Sequence, residues 1–184
     1  MAVAGKQDQV LDAAIELVGT RGLRALTHRA VDELAGMPQG STSNYFRSRG
    51  ALLEGLITRL GQRDRDDFRM LAKAPPEDRE ELVNALAAFV RYATGPDRVR
   101  TTARYALFVE AASTPALETI IRSIRSRLVE WGADMLEQVG SRDPAAGAAA
   151  ITDYVDGVVL HQLTMPDPQF DPATGIGTVV GAFV

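Results

Sequence analysis

The chain has 184 residues, 46% of them hydrophobic, and a formal net charge of −4. That is enough for one medium domain or a small domain fused to a larger one, and too acidic for a protein that coats nucleic acid along its whole surface. There is no cysteine and there are only two histidines, which excludes disulfides, thiolate metal sites and cysteine nucleophiles. No metal and no cofactor are expected.

The charge is uneven. Through Arg63 there are eight Lys or Arg against six Asp or Glu; beyond it there are twelve against eighteen. A mildly basic head on an acidic body suits a DNA reader joined to something else, although a difference this small also arises by chance. Gln7, Asp8, Asp12 and Glu16 interrupt any apolar leader. No run approaches the roughly 20 apolar residues of a membrane span. A soluble cytoplasmic protein with no membrane partner is the expectation.

Val10, Leu11, Ala14, Ile15, Leu17 and Val18 recur at helical spacing and predict a first helix over 7–20, closed by Gly22. Thr27 is placed to cap a second helix with Ala30, Val31 and Leu34 inward, ended by Gly36. Pro38 suits the first turn of a third helix running to about 46. Ser48 caps a fourth, long helix with Leu52, Leu53, Leu56, Ile57 and Leu60 on one face, continuing toward Met70 and Leu71.

Ala74-Pro75-Pro76 breaks the chain. Further helices are expected over 77–94, 99–113, 115–139 and 145–164, and a weakly helical tail over 173–184, where three glycines work against the helix. No strand alternation is convincing. The fold class is all-α: an N-terminal three-helix helix-turn-helix DNA-binding domain over 1–48 and a C-terminal helical bundle over 49–184.

The segment 27–53 carries the functional signal. Ala35-Gly36 supplies the small residues that let two helices cross tightly. The next helix offers Gln39, Ser41, Thr42, Ser43 and Asn44, short polar side chains suited to base edges and phosphates. Gln and Asn bond adenine bidentately, and the Thr methyl suits thymine. Tyr45 and Phe46 cannot both face solvent, so Phe46 is assigned to the core and Tyr45 to a phosphate. Thr27 is compatible with both capping and phosphate contact. Arg29 faces either phosphate or solvent, and His28 is read as a surface residue. Arg49, at the start of the fourth helix where a cation opposes the helix dipole, is either a phosphate ligand or simply solvated.

This arrangement resembles the TetR family of transcriptional regulators. The resemblance rests on 7–57: Ala13-Ala14, Gly22, Leu26-Thr27, Ala35-Gly36, Gly40, Tyr45-Phe46, Ser48-Arg49 and Leu52-Leu53. It implies that the first three helices bind DNA, that the fourth connects, and that the later helices bind a ligand and form a homodimer. It also implies phosphate contacts for Thr27 and Arg49. The chain departs from the family where a tyrosine usually stands two residues before a His-Phe pair: those positions hold Ser43 and Tyr45.

In the body, Arg104, Tyr105, Phe108, Glu110, Trp131 and His161 are candidates for lining an apolar ligand cavity, with core packing the competing explanation for each. Asp153 and Asp156 share a helix face and read as solvated or salt-bridged. An alanine- and valine-rich face with Ala146, Ala149, Ala150, Val155 and Val159 suits close helix approach in a dimer.

The sequence therefore points to a homodimeric repressor that binds a palindromic double-stranded DNA operator and is released by a small, partly apolar effector. The alternative is a small helical enzyme with an apolar pocket. It lacks a persuasive nucleophile, base or carboxylate pair.

Overall fold

The computed structural model describes residues 5–72 and 74–184. Nine α-helices follow in order among them, with one 3-10 turn and no strand: α1 Lys6–Arg21, the 3-10 turn Leu23–Ala25, α2 His28–Leu34, α3 Ser41–Tyr45, α4 Arg49–Ala72, α5 Arg79–Thr94, α6 Arg98–Ala111, α7 Pro115–Gln138, α8 Pro144–Thr164 and α9 Pro172–Val180. No helix among the described residues is long and apolar enough to cross a membrane.

The chain divides into two compact units. One holds Met1–Arg63 with Val99–Ser123; the other holds Asp64–Arg98 with Ile124–Val184. Both α4 and α7 therefore contribute to both units.

The first unit is built around α1. Its buried stripe is the expected one, Val10, Leu11, Ala14, Ile15, Leu17 and Val18. Gly22 ends the helix at φ 78, with its N–H on the Val18 carbonyl at 2.9 Å. Leu52, Leu56 and Ile57 of α4 are buried, on the face expected from the sequence, and Ser48 caps α4 by accepting from the Ala51 N–H at 3.1 Å. Arg59 of α4 grips Asp12 of α1 with two bonds of 3.1 Å, Nε to Oδ1 and Nη2 to Oδ2. These bonds tie the two helices together.

In the second unit, carboxylates cap three of the helices. Asp78, Asp143 and Asp171 accept from Glu81, Ala146 and Ala173 N–H groups. The tail is a better helix than its glycines suggest, because contacts hold it. Arg79 of α5 donates to the Gly177 carbonyl at 2.9 Å, and Arg91 pairs with Asp171 at 2.7 Å. Gly175 faces the Tyr154 hydroxyl so closely that a Cβ there would lie 1.8 Å from it. The glycines are where side chains from α5 and α8 approach, so packing overrides propensity.

Candidate nucleic-acid interface

Thr27 begins the head's second helix as expected, its Oγ1 accepting from the Ala30 N–H at 3.1 Å. α2 is only seven residues long and ends in a Schellman closure: Gly36 adopts φ 63 and the Met37 N–H reaches back to the Asp32 carbonyl at 2.9 Å. Its buried positions are Val31 and Asp32. Leu34, expected inside, is 42% exposed. Asp32 takes the inward place because its carboxylate has work to do on α3.

α3 starts three residues later than the proline suggested. Pro38 sits in the turn, and Gly40, at φ 93, is the N-cap. A left-handed glycine has no side chain with which to cap. Asp32 caps from the neighbouring helix instead: Oδ2 accepts from the Gly40 N–H at 2.7 Å, and Oδ1 accepts from the Thr42 N–H at 2.7 Å and the Thr42 hydroxyl at 2.5 Å. Burial alone would raise this carboxyl's pKa. The bonds from the Thr42 hydroxyl, the Thr42 amide and the Gly40 amide, with His28 close by, outweigh burial and hold it below the ordinary carboxylate value.

Thr42 is thereby corrected as a DNA-reading residue. It is fully buried, and its hydroxyl is spent on Asp32. His28 is corrected too. It is half-buried, and its Nε2–H donates to the Phe46 carbonyl at 2.7 Å, an oxygen that can only accept. Phe46 lies in the core and Tyr45 is 41% exposed.

Thr27, Arg29, Gln39, Ser43 and Asn44 are exposed; Ser41 is half-buried, with its hydroxyl on the Pro38 carbonyl at 2.6 Å. Arg49 is exposed yet occupied: Nη1 donates to the Leu26 carbonyl and Nη2 to the Leu23 carbonyl at 3.0 Å. It fastens the end of the 3-10 turn to the start of α4, which a solvated arginine would not do. The result is a five-residue helix whose exposed side chains are Ser43, Asn44 and Tyr45, on a scaffold that fixes both its ends.

The body candidates are divided between the units. Arg104 is buried on α6 of the first unit, where Tyr105 and Phe108 pack edge to face at 5.7 Å. Trp131 belongs to the second unit. It meets Phe68 edge-on at 5.0 Å and carries the Arg69 guanidinium over its ring at 5.8 Å. His161 is exposed on α8. Glu110 is half-buried. Arg125 sits against Asp153 at 2.6 Å and Asp156 at 3.9 Å, a salt-bridged face as read from the sequence. Among the described residues no group of three or more metal-type side chains is gathered.

An all-helical chain whose head presents a polar helix on a helix-turn-helix belongs to the class of DNA-binding transcriptional regulators. Comparison with known proteins gives the family. The model for bacterial regulatory proteins of the tetR family matches residues 10–56, and that for the tetracyclin repressor-like C-terminal domain matches residues 77–184. The chain belongs to the TetR family of transcriptional regulators.

It is 29% identical to the HTH-type transcriptional regulator BetI of Paraburkholderia phymatum, over 89% of this chain and 84% of that one. Among solved structures it resembles a member of the TetR family from Streptomyces coelicolor A3, with TM-score 0.71, 24% identity and coverage of 97% of this chain and 98% of that one. It also resembles the multidrug binding protein EbrR complexed with proflavin, with TM-score 0.64, 25% identity and coverage of 98% and 100%.

Proposed function

We propose that this regulator is a homodimeric repressor that binds a palindromic operator through 1–48 and is released when a small, partly apolar effector binds its body, 49–184. The observation that carries the DNA half is the exposed row Ser43, Asn44 and Tyr45 on a helix anchored at both ends, with exposed Gln39 in the turn just before it. Gln39, Ser43 and Asn44 serve base edges; Tyr45, Thr27 and Arg29 serve phosphates, with Ser41 at the edge of the set. Two-fold symmetry then makes the operator an approximate palindrome.

Support for the effector half is of a different kind. Phe68, Phe89 and Trp131 form an aromatic cluster, and the similar EbrR is described as a multidrug binding protein complexed with proflavin. Arg104, Tyr105 and Phe108 are candidate contacts within the first unit, and Trp131 and His161 within the second. α4 runs from one compact unit into the other, so an effector that shifts it changes the head. A difference of a few kcal/mol in effector affinity between the two states suffices to move the population. The dimer is assigned to α8 and α9, where Leu160 and Met165 stand exposed at the α8 end.

The test is selection of duplexes from a random library by the full chain, followed by gel shift at moderate salt. Enrichment of one palindrome, and its release by an apolar or aromatic compound, is the expected result. No sequence-selective binding overturns the reading. Tyr45→Ala is expected to abolish binding of the selected duplex while melting temperature and dimerisation stay unchanged. A variant that fails to fold shows Tyr45 to be core instead.

A further inference from the structure

A helix of five residues has no stability of its own. α3 therefore stands where its neighbours put it, and α2 holds it at both ends. Asp32 takes the N-terminal end through the Gly40 and Thr42 amides and the Thr42 hydroxyl. His28 takes the C-terminal end through the Phe46 carbonyl. The two are four residues apart on α2, one turn, and so project from one face. Asp32 is 2% exposed and Thr42 wholly buried, so neither touches a duplex.

We infer that Asp32 is a positioning residue for DNA reading: its buried carboxylate, from outside the reading helix, sets the orientation at which Gln39, Ser43 and Asn44 meet the bases. This rests on the DNA-reading role proposed above. The chemistry requires a carboxylate and not merely a polar side chain. Three donors converge on two oxygens, two on Oδ1 and one on Oδ2. Asparagine has one acceptor oxygen. Its NH2 group would face an N–H, donor against donor, at either Gly40 or Thr42. The helix could then escape the conflict only by rotating or drawing back, which carries the outward row with it. Base contacts depend on that register; phosphate contacts largely do not.

The experiment compares the native chain with Asp32→Asn, Thr42→Val and Thr42→Ser. The duplex is the one the native protein selects, and an unrelated duplex of equal length measures non-specific affinity. For Asp32→Asn we expect affinity for the selected duplex to fall about tenfold or more, the scale of a lost helix cap, while non-specific affinity and dimerisation are unchanged. The Gly40 and Thr42 amide protons, shifted downfield by the carboxylate in the native protein, should move upfield.

Thr42→Val keeps the shape and removes the hydroxyl donor. It should lose selectivity several-fold, and Thr42→Ser should restore it. If Asp32→Asn does not fold, the valine and serine pair decides. Native selectivity in both Asp32→Asn and Thr42→Val, or in Thr42→Val alone where the asparagine variant is unfolded, overturns the inference and leaves the DNA reading intact. A native protein that selects no duplex defeats that reading and this inference together.

Discussion

A carboxylate almost sealed from solvent ordinarily takes up a proton. Asp32 keeps its charge because three donors are already in place, two of them backbone amides that would otherwise stand unpaired at the start of α3. The consequence is a pH signature of known sign. The carboxyl's pKa is held below its ordinary value in the folded protein. Its contribution to stability is therefore complete above the unfolded carboxylate value of about 4 and is lost as the pH falls through the lower folded value. Chemical denaturation of the native chain and of Asp32→Asn should show a stability gap that is constant from neutral pH down to about 4 and closes in stronger acid. A gap that persists unchanged to the lowest pH at which both fold contradicts the assignment.

The elements tell a similar story about what surrounds them. Gly19 is an unremarked residue in the middle of the last turns of α1. A Cβ there would lie 2.1 Å from the Val99 carbonyl oxygen of α6 and 2.7 Å from its Cγ1. The nearest atom is backbone, so no rotamer change relieves it. Gly19→Ala would gain helix propensity of about 1 kcal/mol but should lose about 1–3 kcal/mol to overpacking. The expected net result is an unchanged or lower melting temperature, by at most about 8 °C in a chain of this size. A clear rise on calorimetry would mean that α6 does not sit on α1.

Much of this architecture was legible in the chain: the α1 stripe, the Thr27 and Ser48 caps and the α4 face all follow from local spacing. The start of α3 was not, because Pro38 and Gly40 both signal a helix edge and only the remote carboxylate decides between them. For the same reason Thr42 read as a DNA contact. A hydroxyl in a polar row carries no local mark of the residue ten positions earlier that claims it. The α9 helix is hard to read from the sequence because its glycines look like breakers, and Tyr154 and Arg79, which lie against them, are remote in the chain.

For the whole molecule, the difficulty is that an acidic protein must approach an anionic polymer. The net charge of −4 opposes association, so affinity has to come from a local set of donors on the head and not from the average field. Arg59 is engaged with Asp8 and Asp12, Arg63 with Asp12, and Arg49 with two carbonyls, which reduces the cations available for phosphate. Arg29, exposed on the first turn of α2, is a head cation that can release counterions from the duplex. Each phosphate neutralised contributes about 0.9 to the slope of log affinity against log salt. In the proposed dimer, Arg29→Ala should therefore give a slope shallower by about 2, one contact per protomer, with affinity lowered to a similar degree for selected and unrelated duplexes. Titration by fluorescence anisotropy across a range of salt concentrations measures both. A slope identical to the native one would remove Arg29 from the interface and return it to solvent. A loss confined to the selected duplex would make it a base reader.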